Sequence, residues 1–445
     1  MSASVERLRT GSPARLVPAL AVPTVVGLVA SVAYQFMNTF FVARIGVSAV
    51  AAVVVVFPVT LVVTAAASGL GQGLSSVVSR ALGAEDHDTA STAARTGLIV
   101  GVTGGAILAA ALGAALALGG LALLSVPEDI RDLAVAYAVP TLAAYVVMTI
   151  NVLCGFLARA EGNTRFSMRT QLIAFVTNLA LDPLLIFSLD LGVAGAGIAT
   201  LIAQAAAALA YRWYFRSGPG TLRPATARTR LAILRPALAI GAPTTIGLLL
   251  SSVTQSYLNS IAAGYSADHL AAIGVVLRLY LLGVLVVTGF CTGSQGLLGY
   301  TVGRGDHSRM RAILRILTLY VLAVAALLSA LVWLLPTSIA SLFAAPGPVR
   351  DLIADALPVV FSGLPALGLV VVATTLFQAQ GRPRPALATT LLRNGILLVP
   401  AITAATALSG AAGIPTGQLL SDLIAGLVGA AILIRQSASS PGSGR

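Results

Sequence analysis

The chain has 445 residues, of which 57% are hydrophobic and 9% charged, and its mean hydropathy is +0.94; no water-soluble core absorbs that much apolar surface, so a soluble globular domain is excluded. The formal net charge is +12, and all 27 basic residues are arginine. They alternate with the loops instead of forming one basic face, which argues against a nucleic-acid partner.

A membrane crossing takes roughly 20 apolar residues in a helix. The apolar stretches predict an all-α polytopic membrane protein with about twelve such helices, near 16–43, 47–79, 92–124, 131–158, 166–189, 191–216, 236–264, 268–300, 311–343, 350–378, 386–408 and 412–435. Several exceed the minimum, so tilt or bending is expected. The first run lacks a small-residue cleavage site and continues into a repeated segment, so it reads as a retained helix and not a signal peptide. Cys154 and Cys291 fall inside apolar helices, where they read as small buried hydrophobes.

Residues 23–87 and 243–307 align without a gap at an offset of 220, with 17 identities in 65 positions. Pro23 answers Pro243, and Asp86-His87 answers Asp306-His307. Each copy holds six spans, an even number, so the halves are parallel repeats of the kind found in rocking transporters. The expected organisation is a cytoplasmic segment 1–15, a six-helix lobe 16–216, a linker 217–235, a second lobe 236–436 and a disordered tail 437–445. Ser217-Gly218-Pro219-Gly220 breaks the sixth helix, and the arginines that follow are expected to hold the linker in cytoplasmic water. With the amino terminus inside, the inner segments carry 23 of the 27 arginines, Arg393 among them, against Arg44, Arg131 and Arg350 outside. That bias places both termini in the cytoplasm and the protein in the plasma membrane.

An enzyme reading finds little support. The three histidines fall in predicted loops without a second metal ligand at a suitable spacing. Gly69-Leu70-Gly71-Gln72-Gly73 lies in an apolar helix with no strand before it, so it reads as close helix packing and not as a dinucleotide loop. Of the 15 acids, two fall well inside spans, Asp182 and Asp422. A carboxylate at mid-membrane costs about 2.5–3.5 kcal/mol on insertion scales and needs a partner, water or an ion. Asn178 and Asp182 are four apart and share a helix face, and Pro183 frees a carbonyl one turn earlier. Amide oxygen, carboxylate and carbonyl together suit a proton or Na⁺; the other reading is a polar patch that pins helices together. Asp422 admits structural and functional readings, and Arg278, a lone cation in the eighth span, either snorkels or pairs with a carboxylate.

These residues, with Asn38-Thr39, Ala160-Glu161-Gly162-Asn163, the glycine-rich run from Gly192 to Thr200, Gln380-Gly381-Arg382-Pro383 and Ser421-Asp422, resemble the multidrug and toxic compound extrusion (MATE) family, within the group that includes lipid-precursor flippases. The resemblance covers nearly the whole chain and is strongest to the DinF-like branch. It implies twelve helices in two lobes, a central cavity, and cation-coupled efflux by alternating access with the coupling site in the amino-terminal lobe. The matching positions are Asn38, Asn178, Asp182 and Thr200, with Tyr34 and Tyr137 where cavity tyrosines would lie and Pro23 where the first helix can bend. Gln255, Asn259 and Arg278 are the polar candidates for the cavity in the second lobe. Asn38 departs from the family pattern, which most often has Asp there; an amide takes up no proton but still offers Na⁺ an oxygen.

The reading that follows is an inner-membrane antiporter, acting as a monomer without a cofactor, that exports an amphiphilic or cationic solute in exchange for H⁺ or Na⁺. The alternative is a flippase for lipid-linked precursors, for which Arg278 is the one intramembrane cation that would meet phosphate.

Overall fold

The computed structural model describes residues 3–118 and 128–438, and every regular element in them is helical. Ten helical runs are long and apolar enough to cross a membrane, and the pair Pro348–Ser362 and Leu364–Ala379, bent by 41°, makes one more. One of the ten, Pro383–Gln436, has 54 residues, about 80 Å of helix against roughly 30 Å of hydrocarbon. It turns at Gly410, whose φ of 62° is left-handed, and the segments on either side, 383–409 and 413–438, pack against each other. The described residues therefore make twelve crossings, as the hydropathy predicts.

In order these are Pro13–Ala43, Val47–Gly83, His87–Ala117, Glu128–Ala160, Thr164–Ser188, Gly192–Arg216, Leu234–Tyr265, Ala267–Gly303, His307–Leu334, the bent pair, and the two arms about Gly410. The ninth stops at Leu334, short of the expected 343, because Pro336 supplies no N–H and instead opens a separate short helix, Pro336–Ser341. The end expected for the third span, 119–124, and most of the tail expected to be disordered, from 439 on, lie outside the described residues. The repeated Asp-His pair is turn chemistry: Asp86 accepts from the Thr89 N–H at 2.9 Å and Asp306 from the Arg309 N–H at 2.9 Å, each capping the helix that begins at the following histidine.

By internal contacts the chain forms two compact units, Met1–Thr10 with Val26–Gly241, and Gly11–Val25 with Ala242–Arg445. The start of the first span thus belongs with the second unit and the start of the seventh with the first, whereas the sequence reading placed 16–25 and 236–241 the other way round. Small residues explain both exchanges. In the first unit the second span meets the seventh where Gly69 and Gly73 face Ala237 and Gly241; a Cβ on Gly73 would sit 1.8 Å from the Ala237 carbonyl oxygen, and one on Gly241 1.9 Å from that of Gly69. In the second unit the repeat-related Gly289 and Gly293 receive Leu20, Ala21 and Val25 in the same way. Backbones approach this closely only where no side chain intervenes.

The linker exposes its arginines but is tied down at several points. Leu222 is fully buried, and its N–H, like that of Thr221, is accepted by Glu161. The Tyr214 hydroxyl donates to the same carboxylate at 2.7 Å. Arg95 donates to the Ala225 carbonyl at 2.6 Å, and the Arg230 N–H to Thr96 at 3.0 Å. Buried linker amides need acceptors, and a loop glutamate supplies them. Gly162, with φ of 78°, follows it, and Leu8 of the amino-terminal helix Ala3–Thr10 packs on that glycine.

Burial pushes the Glu161 carboxyl up to about 7 from its ordinary 4.5, against the opposing pull of its donors and of the nearby Arg223 charge. Between those two values the folded protein holds a proton that the unfolded chain has lost, so this group's stabilisation is complete below 4.5 and is lost as pH rises through about 7. Glu161→Gln retains an acceptor and removes the titration. The expected outcome, from melting curves of the detergent-solubilised protein over this window, is that stability relative to Glu161→Gln falls by a few degrees with rising pH; parallel pH profiles would refute it.

Candidate functional site

The site forms where the first, fifth and sixth spans of the first unit present polar side chains from otherwise apolar helices. The fifth span is capped at its start by Asn163, which accepts from the Phe166 N–H. It runs as an α-helix to Pro183 and then widens into a π-turn, Leu184–Ser188, the kind of insertion that often accompanies function. One turn before that distortion, Asn178 donates to one oxygen of Asp182 at 3.1 Å. Both side chains are 0% exposed.

From the first span, Tyr34 and Asn38, also one turn apart, converge on Thr200 of the sixth. The tyrosine hydroxyl donates at 3.0 Å and the amide at 3.3 Å, while Thr200 donates to the Ala196 carbonyl at 2.9 Å. The structure thus pairs Asn178 with Asp182 and gathers Tyr34 and Asn38 on Thr200, while Tyr137 packs with Val42, Ile186 and Ala196 in a hydrophobic cluster.

Three oxygens of this cluster are buried with no donor: Asn38 Oδ1, Asn178 Oδ1 and Asp182 Oδ2. Buried polar atoms without a partner are uncommon and costly. Asp182 forms no ion pair among the described residues, whose pairs are Arg9–Glu6, Arg350–Asp351 and Arg393–Asp422. A carboxylate oxygen and two amide oxygens without donors, with the Asn178 nitrogen bonded to Asp182 itself and the Asn38 nitrogen to Thr200, are groups of the kind that bind a hard monovalent cation or, at the carboxylate, a proton.

Composition alone did not pick out the surrounding polar residues. Gln204, one turn beyond Thr200, accepts from Asn151 at 2.7 Å; Ser31 donates to Gln171 at 2.7 Å, tying the first span to the fifth. The signal that would have found Gln204 is its spacing of four from Thr200. Pro23 sits within a helix that is unbroken from Pro13 to Ala43.

In the second unit, Asn259 and Arg278 line a cavity of about 270 Å³ with Leu270 and Val275, and Gln255 is exposed on the seventh span without lining it. Arg393, counted from sequence as an inner-loop arginine, is instead inside the eleventh span, in a π-turn, Leu392–Leu397, and its Nε lies 3.3 Å from Asp422. Its burial is possible because that carboxylate is there to receive it.

The MatE family model matches residues 23–184 and again 243–403. The chain is 28% identical over 421 residues to the multidrug export protein MepA of Staphylococcus saprophyticus, covering 93% of this chain and 91% of the relative. It is 26% identical over 426 residues to MepA of Staphylococcus aureus strain MRSA252, with the same coverage. Among solved structures, a Vibrio cholerae MATE transporter, VcmN, in the bent form superposes with a TM-score of 0.89 at 24% identity over 98% of each chain. A MATE in complex with MaL6 does so at 0.90 and 23% identity, over 98% of this chain and 99% of that one.

Proposed function

Because this chain belongs to the MATE family of multi-pass membrane transporters, both of its halves matching the family model, we propose that it is a secondary multidrug exporter in which a cation bound at Asp182 drives substrate out of the cell. The observation that carries this reading is a trio of donorless buried oxygens, one of which belongs to a carboxylate with no counter-charge among the described residues. Nothing in a purely structural patch requires an acid to be buried with one hydrogen bond, whereas a coupling site must leave room for its ion. The names of the curated relatives, multidrug export proteins, support efflux as the direction. Burial of the coupling acid in the amino-terminal unit agrees with a DinF-like position within the family.

Exchange of one monovalent cation for a cationic substrate cancels the electrical work, about 2.3 kcal/mol per charge per 100 mV, and leaves the ion's concentration gradient to drive export by alternating access. Tyr34 and Tyr137 beside the carboxylate, and Asn259 and Arg278 on the cavity of the second unit, are the proposed substrate contacts. The arginine bias places both termini in the cytoplasm, and the working unit is one chain. The test is transport in reconstituted vesicles with pH and Na⁺ varied independently: export that follows neither gradient would overturn the proposal.

Asn38 sets which ion is preferred. Its Oδ1 is a neutral donor without a partner, so Asn38→Asp adds a second acid beside Asp182. The expected outcome is transport that becomes steeper in pH and less responsive to Na⁺; an unchanged pH profile in vesicles would count against a place for Asn38 in the ion site.

A further inference from the structure

The second unit buries a carboxylate of its own, and its surroundings are the inverse of those of Asp182. Asp422, 0% exposed, takes the Arg393 Nε at 3.3 Å, the Gln418 amide at 3.1 Å and the Tyr280 hydroxyl. Arg393 is held in turn by Asn394, whose Oδ1 accepts from Nη1 at 2.7 Å, and the Asn394 carbonyl accepts from Thr254. The tenth span contributes Gly363, against the Asp422 Cβ, and Phe361, edge-on to the Tyr280 ring at 5.9 Å. Neither titrates, so the groups facing Asp422 are Arg393, Tyr280 and Gln418.

The fifth and eleventh spans are counterparts in the duplicated chain, and each carries a π-turn. On one the distortion follows an acid with no counter-charge; on the other it contains a base. We propose that Asp422, Gln418 and Tyr280 form a second monovalent-cation site whose permanent occupant is the protein's own guanidinium, Arg393, acting as a tethered ligand. Arg393 thereby withholds the second unit's carboxylate from H⁺ and Na⁺ and confines cation binding to one acid per chain. A guanidinium suits this role because it stays charged and offers several fixed donors, so it fills the carboxylate without ever releasing a proton.

The test removes the occupant and looks for the site. In infrared difference spectra of the full-length protein in detergent, Arg393→Gln is expected to show, at acid pH, one protonated-carboxyl stretch in addition to those that Glu161 and Asp182 give in the wild type. Raising the pH or adding Na⁺ should deplete that signal, and the double variant Arg393→Gln with Asp422→Asn should abolish it. Asp182→Asn should leave it intact, which separates failure here from failure of the Asp182 assignment. The proposal is overturned if a folded Arg393→Gln protein shows no such band, if Asp422→Asn fails to remove the band, or if Na⁺ and pH do not deplete it. Should Arg393→Gln not fold, wild type against Asp422→Asn decides: an Asp422-dependent protonated band in the wild type at acid pH would refute permanent occupancy. Arg393→Lys, which keeps a tethered cation, is expected to stay silent.

Discussion

Asp182→Asn is expected to abolish uphill efflux, at least a tenfold loss that brings substrate accumulation to the level of cells without the transporter, with expression and membrane insertion unchanged. The substitution is close to isosteric, and the new amide oxygen can still accept the Asn178 hydrogen bond of 3.1 Å, so the local fold has no reason to fail. What disappears is the only formal charge among the three donorless oxygens. A neutral trio offers Na⁺ dipoles alone and offers a proton no basic site, so the ion gradient loses its handle on the protein. Relief of a buried charge should, if anything, raise the melting temperature, because the desolvation cost of the carboxylate goes with it. Uphill efflux retained by a well-expressed Asp182→Asn protein would sink the coupling assignment. Loss of efflux together with loss of folded protein would show that Asp182 is structural.

The second large effect is expected at Gly73 and Gly241. An alanine at either position sets its Cβ within 2 Å of a carbonyl oxygen on the facing helix, 1.8 Å and 1.9 Å respectively, and a backbone atom cannot turn aside as a side chain does. Overpacking typically costs about 1–3 kcal/mol where neighbours can relax; here two long helices would have to separate along their crossing. Gly73→Ala and Gly241→Ala should therefore yield little monodisperse protein by fluorescence-detected size exclusion. Gly274→Ala, which meets nothing within 4 Å, should behave as wild type. Wild-type yield and melting for Gly73→Ala would contradict the packing described.

Hydropathy alone made the spans legible, since nearly every crossing is a long uncharged run and the repeat at an offset of 220 orders them. Part of the amino-terminal site was legible for the same reason: in apolar helices a polar residue stands out, and spacing of four put Asn178 with Asp182, whereas Tyr34, Asn38, Tyr137 and Thr200 were named only by the family resemblance. Arg393 was misplaced because positive-inside counting assigns any arginine near a helix end to the nearer loop, and nothing local announces a carboxylate 29 positions later in the chain. The linker was legible in part: its arginines read as solvated, and Arg223, Arg228, Arg230 and Arg235 are exposed, but Glu161, 61 residues earlier, takes the buried Leu222 amide, and a pairing at that separation has no periodic signature.

The exchanged helix starts have a consequence for descent. Residues 234–241 fill the glycine groove of the first unit and 11–25 fill that of the second, so severing the chain at 217–235 leaves each fragment with an empty groove and a stray apolar helix end. A single ancestral copy of the repeat would have met the same difficulty, and two copies lending each other their first helices resolve it. Each unit is thus completed by a helix start that the chain order assigns to the other half.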